Sequence, residues 1–294
     1  MTLAAPATLG LSRGLRYMIG SAFMFSLMGL FVKVAGRHLP SQEIVLIRSV
    51  VTLFYSYLLL RWQQVSWRGQ RPGLLILRGV VGFLSLSCLY FALTRLPLAD
   101  TLVLQHTSPV FTTLLAALLL KEPIGRRELI GILLSLVGVV LVARPGFLFG
   151  IRTAGLDPLG VAAAMGAAVF SAGAYVLVRE LRRTEHPLTI VFYFPLVSTL
   201  GSLPMALPSA VWPSPIDWLV VVGGVGLSAQ IAQVWMTRGL AEEQAGRAVA
   251  MNYLQVVFGV LWGLLFFQEV PVPLSLLGMG LIFAGTWLVA RVRA

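Results

Sequence analysis

Charge is scarce in this chain of 294 residues: 11% of positions are Asp, Glu, Lys or Arg, where a soluble globular domain carries about a quarter. A chain so poor in charge cannot cover a large core in water, which excludes an ordinary soluble enzyme and a disordered protein. Acidic residues are the rarer sign, 11 against 22 Lys and Arg. The net charge of +11 does not make a nucleic-acid reader, because the basic residues fall in short clusters between apolar runs. Cysteine is represented by Cys88 alone, so a disulfide framework and a multi-cysteine metal site are excluded. The three histidines, His38, His106 and His186, lie far apart, and no H-E-x-x-H pattern joins any two. A glycine-rich phosphate loop ending in Lys-Ser or Lys-Thr is missing as well, and the scattered Ser, His and Asp residues form no hydrolase motif. No metal and no cofactor is expected.

Apolar residues are what the chain has: 58% of positions, with mean hydropathy +0.89. Lipid is the solvent such a composition suits, and about 20 apolar residues span a bilayer as a helix. Ten such runs are expected: 15–35, 41–60, 73–93, 98–119, 128–143, 158–178, 187–207, 217–237, 246–266 and 272–290. Transmembrane strands would alternate over about ten residues, which these runs do not do. The first run, Met18 to Val32, is followed by Lys33, Arg37 and His38 instead of a small-residue cleavage site, so it reads as a retained span and not a signal peptide. The loops are too short to hold a soluble catalytic domain.

Lys and Arg set the orientation. With the N-terminus in the cytoplasm, 15 basic residues face inward and 5 outward, Arg48 and Arg78 falling inside spans. Both termini are expected in the cytoplasm, the chain lying in the inner membrane. Trp212 and Trp218, in and after the proline-rich outer loop, fit an interfacial aromatic belt.

Shifted by 147, half its length, the chain matches itself. Pro40 meets Pro187, Gly79 meets Gly226, Leu93 meets Leu240, Glu122 meets Glu269, Gly131 meets Gly278 and Gly138 meets Gly285. The run Leu141-Val142-Ala143-Arg144 meets Leu288-Val289-Ala290-Arg291. Two halves, 1–147 and 148–294, of five spans each are expected. Because five is odd, the second half enters the membrane from the opposite side. The fold class is therefore an all-α membrane protein, ten transmembrane helices in two inverted five-helix repeats, an architecture typical of secondary transporters that bind near the midplane.

Several stretches carry a family resemblance: Arg48, Tyr90-Phe91-Ala92-Leu93, Leu96-Pro97-Leu98-Ala99 and the block Pro109 to Pro145, with Leu118-Leu119-Leu120-Lys121-Glu122 and Gly131 to Val139 inside it. With ten spans in two repeats, the chain resembles the drug/metabolite transporter superfamily and its EamA-type members. Gln268-Glu269-Val270 departs from the Gly-Glu pair that such members often carry at this position. The resemblance implies export of small metabolites, and a YddG-type aromatic amino-acid exporter is the relative it points to.

Polar residues inside spans are expensive and so mark function. On the fourth span Thr101, Gln105, Ser108 and Thr112 share one helical face, with His106 beside it. The same shift carries Gln105 onto Asn252, His106 onto Tyr253 and Ser108 onto Gln255. The eighth span adds Gln230 and Gln233, the third Ser85, Cys88 and Tyr90, and the sixth Met165, Ser171 and Tyr175. Gln105, His106, Ser108, Tyr90, Tyr175, Gln230, Gln233, Asn252 and Tyr253 are the expected substrate-binding residues. The plainer reading, hydrogen-bond glue between helices, stands beside this one. Met and aromatic residues, among them Met24, Phe25 and Met28, read first as core and second as adaptable apolar walls. Arg78, near the end of its span, is expected to snorkel to the headgroups. Arg48 is expected to pair with Glu43 or to cap carbonyls. Gly131, Ser135 and Gly138 form a small-residue stripe for close packing, within the bundle or at a dimer contact.

The expected function is a secondary transporter, an exporter of small organic metabolites with amino acids and especially aromatic ones first, working by alternating access. The alternatives are a multidrug or nucleoside-type exporter and, further off, a membrane enzyme modifying lipid. The expected partners are a small-molecule substrate and the bilayer, with no nucleic acid; monomer and homodimer both remain open. No Asp or Glu falls at mid-membrane, so a carboxylate proton relay is not expected. A facilitator is preferred to proton coupling through His106.

Overall fold

The computed structural model describes residues 11–96, 98–149, 157–268 and 270–291. Glu269, Pro97, Arg152 and Arg293, used above in the repeat, the family resemblance and the charge balance, lie outside these residues. Among the described residues every regular element is helical. Ten spans follow in order: α1 (Arg13–Ala35), α2 (Ser41–Trp62), α3 (Pro72–Arg95), α4 (Leu98–Gln105, Ser108–Leu115 and a π turn Ala116–Leu120), α5 (Arg126–Ala143), α6 (Pro158–Leu181), α7 (Pro187–Ala206), α8 (Pro215–Glu242), α9 (Ala245–Ala250 and Leu254–Phe267 around a 3-10 turn) and α10 (Pro273–Ala290). Among the described residues nine are long and apolar enough to cross a membrane. The remaining one, α5, has 18 residues and opens on Arg126, Arg127 and Glu128, which leaves a shorter apolar stretch. Prolines at the first turns of α3, α6, α7 and α10 start helices where a missing N–H costs nothing.

The packing repeats with inverted symmetry. A Cβ built on Gly131 would lie 2.6 Å from the Gly285 carbonyl oxygen, and one on Gly138 would lie 2.6 Å from that of Gly278. Since Gly131 corresponds to Gly278 and Gly138 to Gly285, each contact is the other's image, and α5 runs antiparallel to α10. The glycine stripe is thus a contact within the bundle. Gly79 of α3 faces Val197 and the Tyr193 carbonyl on α7, while its mate Gly226 of α8 faces Val51 on α2. Ser85 donates to the Ala167 carbonyl at 2.9 Å, joining α3 to α6. Ser21 donates to the Ala232 carbonyl at 2.9 Å, joining α1 to α8. The shift carries Ser85 onto Ala232, and Ser21 onto the neighbour of Ala167, so the same bond recurs with donor and acceptor exchanged.

The fourth span of each half is broken. In α4 the helix restarts at Ser108, where Pro109 cannot donate to the preceding turn. In α9 the corresponding turn, Met251–Tyr253, is 3-10. Both helices end on a left-handed residue, Lys121 with φ 57° and its mate Gln268 with φ 56°. We call the end of the bundle where α1 begins and α10 finishes the terminal end.

Candidate functional site

A cavity of about 220 Å³ lies between the middle of the bundle and the terminal end. Phe25 of α1, Arg78 and Ser85 of α3, Gln105 of α4, Ser171 and Tyr175 of α6, Phe194 of α7, Gln233 and Met236 of α8 and Gln255 of α9 all line it. Seven spans from both halves therefore build one site. Its wall is polar on α3 and α6 and apolar on α1, where Phe25 lines it; in the repeat, Met24 and Met28 correspond to Ser171 and Tyr175.

Hydrogen bonds fix part of this wall and leave part open. Gln105 Nε2 donates to Ser171 Oγ at 3.1 Å, and Ser171 meets Ser85 Oγ at 2.7 Å. Asn252, the mate of Gln105, does not itself line the cavity but donates through Nδ2 to the Tyr175 hydroxyl at 3.5 Å behind it. Gln105 Oε1, Gln233 Oε1, Asn252 Oδ1 and Arg78 Nε and Nη1 are buried with no hydrogen-bond partner among the described residues. Such atoms are destabilising unless water or a ligand meets them. Arg78 is 3% exposed. Its guanidinium turns inward, 4.7 Å from the centre of the Phe194 ring, instead of snorkelling outward. Arg48 also faces Phe194, at 5.9 Å, whereas Glu43 accepts from the Val211 N–H at 2.9 Å.

His106 lines a second cavity of about 390 Å³, walled by α1, α4, α5 and α9 and reaching Lys33 and Phe267 at the opposite end. Gln255 lines both cavities. His106 Nδ1 lies 2.8 Å from the Leu102 carbonyl. A carbonyl only accepts, so Nδ1 carries the hydrogen and Nε2 is left as an acceptor. The His106 ring stacks with Tyr253, centroids 6.4 Å apart and planes at 27°. These two residues are each other's mates, so the pseudo-two-fold axis passes between them at the breaks of α4 and α9.

The remaining expected residues sit elsewhere. Tyr90 lines a separate cavity of about 160 Å³ between α2, α3 and α7. Gln230 accepts from Ser56 Oγ at 3.1 Å, against α2. Ser108 is buried, and its carbonyl accepts from Thr112 Oγ1 at 2.8 Å. Tyr253 is fully buried behind His106, its hydroxyl without a partner. Arg78, Ser171 and Gln255 were not among the expected site residues. The only signal for them was an intramembrane charge for Arg78 and, for Gln255, its repeat relation to Ser108.

Ion pairs gather at the terminal end. Arg179 Nε donates to Glu122 Oε1 at 2.9 Å, and Glu122 Oε2 accepts from the Ala245 N–H at 2.8 Å. Arg179 also donates to the carbonyls of Leu240 and Ala241. Arg247 and Glu243 pair at 3.0 Å with about 5% of each side chain exposed. Ser12 reaches the same Glu243 carboxylate, and buried Glu128 sits close to Gly246. Together these residues tie the α4–α5 and α8–α9 connections to α6.

A family model described as the EamA-like transporter family matches residues 12–144 and again 158–291. The chain is 34% identical over 286 residues to the pseudopaline exporter CntI of Pseudomonas aeruginosa, covering 96% of this chain and 98% of the exporter. It is 32% identical over 272 residues to human solute carrier family 35 member G1, covering 88% of this chain and 73% of that protein. A solved crystal structure matches its fold with a TM-score of 0.81 over 95% of this chain and 96% of the other, at 20% identity.

Proposed function

This chain belongs to the EamA-like transporter family, and on that footing we propose that it is a secondary transporter that moves small organic metabolites out of the cell unchanged, amino acids and especially aromatic ones first. It is a multi-pass membrane protein, and two of its matched relatives are named as an exporter and a solute carrier. The observation that carries the proposal is the central cavity, built by both repeats and lined by polar atoms with no partner among the described residues. The exporter name of the Pseudomonas aeruginosa relative supports the outward direction.

In this reading residues 1–147 and 148–294 are the two moving halves. The buried ion pairs hold the terminal end shut, and they must part when the cavity opens to that side. Gln105, Tyr175 and Gln233 bind polar groups of the substrate, and Phe25, Phe194 and Met236 form the apolar wall. Asn252, His106, Tyr253, Ser108, Gln230 and Tyr90 support these groups or line the path. The 15 to 5 distribution of Lys and Arg supports an inner-membrane location with the terminal end in the cytoplasm. One chain holds the whole cavity, so a monomer is competent and a homodimer would repeat it. Transport is facilitated by the substrate gradient alone.

Counterflow in proteoliposomes tests the reading, with labelled amino acids, nucleosides and cationic drugs offered in turn. Exchange of aromatic amino acids is the expected result. Exchange confined to nucleosides or drugs favours the multidrug or nucleoside alternative, and chemical alteration of the solute without exchange removes the transporter reading.

A further inference from the structure

Arg78 is a positive charge held inside the bundle with no ion-pair partner among the described residues. It is 3% exposed and lines the central cavity, and its Nε and Nη1 atoms have no hydrogen-bond partner. Its guanidinium lies over the face of Phe194, and Tyr175 lines the same cavity. Among the described residues no Asp or Glu lines this cavity. Two acidic residues of the terminal end are already engaged, Glu122 by Arg179 and Ala245, and Glu243 by Arg247. An uncompensated buried guanidinium is strongly destabilising. Its planar fork of N–H donors matches one ligand group above others, an oxyanion that accepts two parallel hydrogen bonds. The opposite wall offers the complement, since the unused Gln105 Oε1 and Gln233 Oε1 can only accept.

We propose that Arg78 is the residue that selects the substrate, by binding a carboxylate, while Gln105 and Gln233 accept hydrogen bonds from amine or hydroxyl groups of the same molecule. The ligand class is an amino- or hydroxy-carboxylate with an apolar part against Phe25, Phe194 and Met236. Cationic drugs and unmodified nucleosides are rejected, the first by repulsion from Arg78 and the second because they leave it unpaired. This inference rests on the reading of the cavity as the transport site.

The test compares matched solutes in proteoliposome counterflow, with the melting temperature of the purified protein read in parallel. The carboxylate set is the common amino acids with simple di- and tricarboxylates. The carboxylate-free set is phenethylamine, phenylalaninamide, nucleosides and a cationic dye. Members of the first set alone should exchange with the parent and raise its melting temperature. Arg78→Gln should lower that exchange about tenfold or more, and Arg78→Lys should keep an intermediate rate. Without ligand, Arg78→Gln should melt no lower than the parent, because it removes a buried unpaired charge; a purely structural arginine would give a lower melting temperature in both variants. Exchange of a carboxylate-free solute as fast as any carboxylate overturns the inference and leaves the transporter reading standing. So does Arg78→Gln exchange within twofold of the parent. A parent that exchanges no solute from either set removes both.

Discussion

His106 shows how much one side chain's surroundings decide its chemistry. Its Nδ1–H is committed to the Leu102 carbonyl and its face to Tyr253, which leaves Nε2 to accept. Among the described residues no carboxylate lines its cavity to stabilise a proton there. His106→Gln should therefore change the apparent substrate affinity in counterflow while downhill flux stays measurable. A pH gradient imposed on the parent should drive no accumulation. Uphill uptake under that gradient, lost in His106→Gln, would instead make this residue the proton carrier. The open polar atoms predict a second result at this scale. With Cys88→Ser as background, cysteines placed at Gln105, Gln233 and Gln255, which line the cavity, should be shielded from a water-soluble thiol reagent by transported substrate. Equal labelling with and without substrate at all three positions would count against a shared cavity.

At the level of elements, the helices were the most readable part of the chain, because a bilayer imposes a length that apolar runs must meet. The α5–α10 contact was readable for a related reason. Glycine where two backbones touch cannot be replaced by chance, so Gly131, Gly138, Gly278 and Gly285 stood out as mates. A Cβ at Gly285 would meet the Gly131 carbonyl oxygen at 2.5 Å. Gly285→Ala should thus destabilise the protein by about 1–3 kcal/mol through overpacking, read as a lower melting temperature. Gly280→Ala, which meets nothing within 4 Å on the same helix, should be neutral or slightly stabilising. What the sequence did not reveal is which way a polar side chain turns. Arg78 lies six residues into α3, about 9 Å along it, a depth from which it could reach the headgroups or the interior. The choice is made by Phe194 on α7, a contact between segments distant in sequence. Gln230 and Gln233 are likewise indistinguishable as a pattern, yet one meets Ser56 on α2 and the other faces the cavity.

Across the whole molecule, the expected topology is checked by fusing reporters to Ala294: one active only in the cytoplasm should work, and one active only outside should be silent. The reverse would turn the bundle over. The ion pairs of the terminal end make a further prediction. Glu122→Gln weakens the grip on Arg179 and the Ala245 N–H, so a cysteine at Met236 should become several-fold more reactive to a thiol reagent applied from that side. Unchanged reactivity would mean that these ion pairs do not hold the end shut.

The halves are alike in backbone but unlike in side chains. Ser171 and Tyr175 have Met24 and Met28 as their counterparts, and Arg78 has Val225. Two identical halves would make the two end states of the cycle equal in energy. Here exchanging their roles trades polar neighbours for apolar ones, so the degeneracy is lifted and the empty chain has a preferred resting posture. A solute that neutralises Arg78 changes that offset as it binds, and loading itself becomes the event that tips the molecule from one posture to the other.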